Sequence, residues 1–352
     1  MQVIESIRAG GACNPGMVRE SNEDRCFYRT FIYTGELGQE YGLIAAVADG
    51  MGGHAAGEAA SERAVQVLAS RFAKVSTSDQ SRQISPDWPS LLRDAFNHAN
   101  TEVHDEAARW PGRAGMGTTL ATVIIAGDVM YFAHVGDSRI YLVRNDRIIR
   151  LTEDHTWVAQ CVREGRMSAR EAETSDRRGQ LTRVIGLNDT VQADIDAVGL
   201  RPGDRIVLCT DGITEMLSET DISVIAGSRT DMQKAAARLI YAANRAGGYD
   251  NSAAVIISCQ GEPSKLPVKL PRFNRTPPQW AVLALALIIA LLLANGAYLV
   301  GRVMSHEKVP SDREMTIPLP KHKTEQSAPL SEHHSDGSGM LDLSGKPVEA
   351  DK

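Results

Sequence analysis

The feature that most restricts this chain is a run of small and apolar residues, Gly42 to Ala48, that ends on an acid, Asp49, followed by Gly50-Met51-Gly52-Gly53. The run reads as a buried strand. Three glycines within four positions then let the backbone turn sharply and approach a small charged group closely. The pattern recurs twice. Ile206-Val207-Leu208-Cys209-Thr210 leads into Asp211-Gly212, and Asp250-Asn251 precedes the apolar strand Ala253 to Ile257. No lysine or arginine stands beside these three acids in sequence. Taken singly, each could cap a strand or turn. Three ionised carboxylates at the ends of buried strands, however, are costly unless paired or bound to a cation. Hard oxygen donors suit magnesium or manganese better than zinc.

Around these strands the texture from Ser6 to about Gln260 mixes strands with amphipathic helices. Gly57 to Ala73 reads as a helix with Ala64, Val65, Leu68 and Phe72 on one face, and Leu91 to Ala108 as a second, preceded by Pro86 and Pro89. Ser76 to Pro86 is a polar loop. Thr118 to Ala126 and Met130 to Val135 flank Gly127-Asp128 as a hairpin, and Ile140 to Val143 with Arg147 to Leu151 flank Asn145-Asp146 as another. Hairpins interrupted by paired helices imply an α+β domain in which helices cover antiparallel sheets.

After Gly261 the composition changes. Residues 261–279 are rich in proline and carry Lys265, Lys269, Arg272 and Arg275, a stiff basic linker. Trp280 to Val300 is uncharged; its 21 residues as helix would extend about 32 Å, enough for a bilayer core, with Trp280 and Tyr298 at interfacial positions. Residues 301–352 lack aromatics and are expected to be disordered. The expected organisation is a domain over 1–260, the linker, one transmembrane helix over 280–300 and the tail. A net charge of -6 without a basic aromatic stripe gives no case for nucleic acid. Five scattered cysteines fit a reducing compartment. The N-terminus lacks the pattern of a secretory signal.

Read in order, Asn14-Pro15-Gly16-Met17-Val18-Arg19-Glu20-Ser21-Asn22-Glu23-Asp24, Asp49-Gly50-Met51-Gly52-Gly53, Gly117-Thr118-Thr119, Val135-Gly136-Asp137-Ser138-Arg139, Leu151-Thr152-Glu153-Asp154-His155, Asp211-Gly212 and Asp250-Asn251 resemble the bacterial metal-dependent serine/threonine phosphatases of the protein phosphatase 2C family. The resemblance spans about Asn14 to Ser258. It implies a β-sandwich of two antiparallel sheets flanked by helix pairs, with two magnesium or manganese ions at one end and a third, weaker ion.

By that resemblance Asp49 bridges both ions and the Gly50 carbonyl binds one. Asp211 and Asp250 bind the other, Glu23 and Asp24 hold bound waters, and Asp137 serves the third ion. Arg19 matches the phosphate-binding arginine. Many eukaryotic relatives carry a histidine after the bridging Asp-Gly; this chain has Met51, leaving His54 as the nearest side-chain proton donor, with a bound water as the alternative. Asp154 to Val191 resembles a mobile flap that helps select protein substrates.

The implied function is hydrolysis of phosphoserine and phosphothreonine in proteins, with a serine/threonine kinase as the opposing partner. The expected location is the inner (cytoplasmic) membrane, single-pass, with the catalytic domain in the cytoplasm: the basic linker precedes the span, and reduced cysteines, no signal sequence and phosphoprotein substrates made by ATP-using kinases place the domain there more firmly. The alternative is a catalytically inactive phosphatase-like module that recruits a kinase or membrane complex. A third reading, a phosphatase dedicated to an anti-sigma antagonist, changes only the partner.

Overall fold

The structure, a computed structural model, describes residues 7–35, 38–53, 55–75, 86–228 and 230–260. In chain order the strands are β1 (Ile7–Asn14), β2 (Asp24–Gly35), β3 (Gly38–Met51), β4 (Gly117–Thr118), β5 (Leu120–Ala126), β6 (Val129–Val135), β7 (Arg139–Arg144), β8 (Arg147–Arg150), β9 (Asp194–Gly199), β10 (Arg205–Cys209) and β11 (Ser252–Cys259). The helices are α1 (Ala55–Val75), α2 (Trp88–Arg109), α3 (Trp157–Arg163), α4 (Ala169–Glu173), α5 (Asp211–Thr214), α6 (Glu219–Gly227) and α7 (Met232–Arg245). One sheet runs β1-β11-β10-β7-β8. The other runs β2-β3-β5-β6-β9, with β4 paired to the end of β3. Every pairing is antiparallel.

Period-two alternation explains why the strands read as unbroken apolar runs. In β3, Leu43, Ala45 and Val47 face the space between the sheets, where they meet Leu208, Val255 and Ile257. Ile44, Ala46 and Ala48 face the opposite way, onto α1 and α2 through Ala60, Leu68, Phe72, Leu92 and Phe96. Both faces are dry, so neither tolerates polar residues. On the first sheet Val207, Ala254 and Ile256 meet α6 and α7 through Ile222, Ala235, Leu239 and Ala243. The result is a helix–sheet–sheet–helix stack, as the resemblance implied.

Several boundaries differ from expectation for local reasons. Helix α2 begins at Trp88, ahead of Pro89, because proline fits a first turn whose N–H has no intrahelical partner; Asp87 caps it by accepting from Ser90 N. The strand expected from Thr118 to Ala126 is broken at Thr119, whose N–H goes to Asp49 O at 2.8 Å. Strand β3 continues past Asp49, since Gly50 and Met51 pair with β4. The second hairpin turns through Asn145 (φ 51°) and Asp146 (φ 59°), the paired left-handed residues of a two-residue turn.

Among the described residues, no helix is long and apolar enough to cross a membrane. The linker, the Trp280–Val300 run, the tail and His54 lie outside the described residues, as does most of the 76–86 loop.

Candidate metal centre

Four chain segments converge on one end of the sandwich. Asp49 lies near the end of β3, Asp137 in the turn between β6 and β7, and Asp211 opens α5 just after β10. Their carboxylate oxygens lie within 4.8 Å of one another. Asp24, fully buried at the start of β2, is the cross-strand partner of Asp49, and Thr210 Oγ donates to its Oδ2 at 2.6 Å.

The backbone around Asp49 is held from both sides. Its carbonyl accepts from the Thr119 N–H and the Thr118 hydroxyl, and its N–H donates to Thr119 Oγ at 2.9 Å. Thr119 Oγ in turn meets Ser138 Oγ at 2.7 Å, tying this strand to the Asp137 turn. Gly-Thr-Thr is therefore scaffolding. Gly50 N donates to Glu23 O, and Glu23 Oε2 lies 1.9 Å from where a Cβ on Gly57 would stand, so the Glu23 side chain occupies space that only glycine leaves. At Gly212 an added Cβ would come within 1.9 Å of Asn251 O, which fixes how closely α5 approaches β11.

The electrostatics point to a missing positive charge. Among the described residues no arginine, lysine or histidine pairs with Asp49, Asp137 or Asp211. Burial, reinforced by Asp211 and Asp24, holds Asp49 well above the ordinary carboxylate range. Asp24 is likewise raised, mainly by burial and against the Thr210 hydrogen bond. Burial followed by Asp211 pushes Asp137 to about 8, and burial followed by Asp250 pushes Asp211 to about 6. Acids crowded this way are compensated only by protons or by cations. The donor set is all oxygen, partly open to solvent, and so fits magnesium or manganese.

Asp250 departs from the expected pattern. The expectation that the strand-end acids lack a cation fails here, because Arg19, remote in sequence, donates from Nη2 to Asp250 Oδ2 at 2.8 Å. Asp250 Oδ1 accepts from Asn251 N, and Asn251 extends its side chain to Pro15 O, Ser21 O and Glu23 N. That network fastens the Arg19 loop to the start of β11. It brings Arg19 to the acid cluster, but onto one of its acids. Both side chains are substantially exposed, at 53% and 38%, so the pair is weak and separable.

Several residues outside the expected set shape the site. Arg139 forms a two-pronged bond to Asp154, at 3.0 and 2.8 Å, and Arg150 adds a third contact to the same carboxylate. His155 accepts from Gly136 N on Nδ1 and donates its backbone N–H to Gly136 O, gripping the residue before Asp137. Because Nδ1 is an acceptor, Nε2 carries the proton and donates to Asp194 Oδ2 at 3.2 Å. His134, stacked on His155 with centroids 4.5 Å apart, completes a group whose ligand atoms lie within 4.8 Å. That group is already committed to protein contacts: the Gly136 N–H occupies His155 Nδ1, and Arg183 binds Asp194.

The segment from Asp154 to Val191 is folded beside the cluster. Its ends are pinned by the Thr156–Leu181 and Thr118–Ile185 bridges, and Arg177 lies over the Trp157 ring at 4.7 Å. Arg178 reaches Glu215, just beyond α5, at 3.7 Å.

A sandwich with an all-oxygen acid centre is the arrangement the resemblance implied, and comparison with known proteins makes it a metal-dependent protein serine/threonine phosphatase. The family model described as protein phosphatase 2C matches residues 20–243, so the chain belongs to the protein phosphatase 2C family. It is 35% identical over 255 residues to protein phosphatase PhpP of Streptococcus pneumoniae, covering 70% of this chain and 95% of that protein. It is 36% identical over 214 residues to the serine/threonine phosphatase stp of Listeria monocytogenes, covering 61% and 83%. The crystal structure of the Mycobacterium tuberculosis serine/threonine phosphatase PstP/Ppp superimposes with a TM-score of 0.61 at 32% identity, over 72% of this chain and 99% of that one. A PstP catalytic domain in complex with two manganese ions matches with a TM-score of 0.60 at 31% identity, over 72% and 99%.

Proposed function

We propose that this protein hydrolyses phosphoserine and phosphothreonine in proteins with a water activated by two magnesium or manganese ions, from an anchor in the membrane. The observation that carries the reading is the meeting of Asp49, Asp137 and Asp211 without a protein cation among them. Asp49 and the Gly50 carbonyl would hold one ion, Asp49 with Asp211 and Asp250 the other, and Asp137 a third, weaker one. When bound, the pair of ions supplies an activated water and neutralises charge on the phosphoryl oxygens.

The chain's own residues do the rest. Asp24, oriented by Thr210, and Glu23, seated against α1, present carboxylates to water near the ions. Arg19 leaves or shares its contact with Asp250 and offers a planar fork to two phosphate oxygens, for which lysine is less suited. His54 is the side chain placed in sequence to give the leaving alkoxide its proton. The Asp154–Val191 segment, beside the acids, would contact the protein part of the substrate. Equilibrium dialysis with manganese tests the centre: at least two ions per chain are expected, and fewer than two in Asp49→Asn. One ion or none in the wild type contradicts it.

The anchor rests on sequence: the uncharged run Trp280–Val300, the basic residues before it, and free cysteines in the domain, of which Cys13 is exposed. The domain then works in the cytoplasm against a serine/threonine kinase. A cysteine introduced at Ser338 should react with an impermeant thiol reagent on intact cells, with Cys13 unreactive until lysis. Protection of residue 338 until lysis contradicts the orientation.

A further inference from the structure

The first sheet carries a second polar site at its other end. Ser258 on β11 pairs with Arg8 of β1 on one side and Arg205 of β10 on the other, so arginine, serine and arginine form a row across three strands. In-register partners share a face. On this face Ala254 and Ile256 pack against α7, so the row looks toward the start of that helix. With Thr230, Asp231, Met232 and Gln260 the row lines a cavity of about 480 Å³. Arg205 opens β10 and Asp211 follows its far end at Cys209, a strand length of about 13 Å away, so the cavity is separate from the acid cluster.

Several donors in the cavity lack a strong partner. Ser258 is 1% exposed and its hydroxyl has no hydrogen-bond partner; Arg205 Nε is also buried without one. Among the described residues neither Arg8 nor Arg205 forms an ion pair, and the hydrogen bond Arg205 makes is a long one to the Asp204 carbonyl. Asp231, the acid in the lining, turns one oxygen to the helix: its Oδ1 accepts from Gln233 N and Lys234 N in the first turn of α7. Two arginines flanking a buried hydroxyl, beside a helix N-terminus, are completed by a doubly charged anion with several acceptor oxygens.

We propose that this cavity binds a phosphate group, held by the guanidinium forks of Arg8 and Arg205 and by the Ser258 hydroxyl. The volume exceeds a bare phosphate and leaves room for whatever the phosphate is esterified to. Free phosphate and a lipid headgroup share this chemistry. The headgroup becomes relevant because Gln260 lies in the lining, 20 residues before the apolar run at Trp280. That source rests on the membrane reading above; the anion site itself does not.

The test uses the full chain in detergent micelles with chelator, so that no divalent ion contributes. Equilibrium dialysis measures binding of labelled inorganic phosphate, soluble dihexanoyl phosphatidic acid and, as control, dihexanoyl phosphatidylcholine. Saturable phosphate binding is expected to survive Arg19→Ala and to weaken at least tenfold in Arg205→Gln. Arg8→Gln, at an exposed position, should weaken it several-fold, with phosphopeptide turnover, measured separately with manganese, unchanged. Phosphatidic acid binding tenfold tighter than inorganic phosphate, lost in the same variants, identifies a headgroup; equal affinity identifies a soluble phosphate. No saturable binding, or binding indifferent to both Arg8→Gln and Arg205→Gln, overturns the proposal.

Discussion

Replacing Asp211 with asparagine should make the metal-free protein more stable while removing much of its response to metal. Asp211 is the largest neighbouring charge acting on both Asp49 and Asp137, and its own carboxyl is lifted from 3.8 to about 6. A carboxyl raised in the folded state contributes stability that is complete below its unfolded value and lost as pH climbs through the folded one. For Asp211 that window runs from about pH 4 to beyond 6, and a rise from 3.8 to about 6 corresponds to about 3 kcal/mol. In a domain of this size about 3 kcal/mol moves Tm by about 6–12 °C. Asparagine keeps the shape and can still accept from a protonated Asp49, yet has no proton to lose.

The assay is thermal unfolding of wild type and Asp211→Asn in chelator at pH 5 and pH 8. By pH 5 about half of the loss at Asp211 has already occurred, so the variant's advantage should widen by about 1.4 kcal/mol from pH 5 to pH 8. His134 titrates with the opposite sign: burial lowers it from 6.5 to about 4, so its contribution is gained as pH rises through that range. It is present in both proteins and cancels in the comparison. Manganese at a hundred times its Kd should return about 2.7 kcal/mol to the wild type and much less to the variant. A gap that does not widen between pH 5 and pH 8, or an equal manganese effect on both proteins, refutes the reasoning.

Arg19→Ala should leave Tm nearly unchanged, since its pair with Asp250 is exposed, and should raise KM several-fold in peptide kinetics; a fall in kcat alone would place Arg19 in the transition state only. Gly212→Ala forces Asp211 and Asn251 apart, because the new Cβ would lie 1.9 Å from a carbonyl oxygen, and kcat should fall more than tenfold with a measurable loss of Tm. His155→Phe keeps the stack on His134 but orphans the Gly136 N–H, for about 1–3 kcal/mol in denaturant unfolding, with reduced kcat as Asp137 loses its fixed turn.

The parts of this fold that were legible in sequence are those set by local chemistry. The β3, β10 and β11 runs read as buried strands because both of their faces are covered, and Asn145-Asp146 read as a turn because those side chains tolerate left-handed backbone. The acids at the strand ends were legible as a cation site for the same reason: unpaired carboxylates beside dry strands need compensation. Strand order and register were not, since β1 pairs with β11 across more than two hundred residues and no local signal encodes that.

The Arg19–Asp250 contact was invisible on the same ground, and it changed the reading of Asp250 from a bare acid to a paired one. The roles of His155, Asp194 and Arg183 are not legible in sequence because their effect on Asp137 runs through a backbone N–H and a tautomer, neither of which leaves a sequence pattern. Helices α6 and α7 entered only through the family resemblance, although Asp231 and the stripe Ala235, Leu239, Ala243 mark α7 as an ordinary capped amphipathic helix.

Phosphate release from a phosphothreonine peptide by the full chain tests the central claim most directly, measured with manganese, with chelator, and for Asp49→Asn with manganese. Turnover with manganese alone, abolished by chelator and by a single change at the residue proposed to serve both ions, is the result expected. Undiminished release in chelator, or by Asp49→Asn, would contradict a mechanism built on these carboxylates.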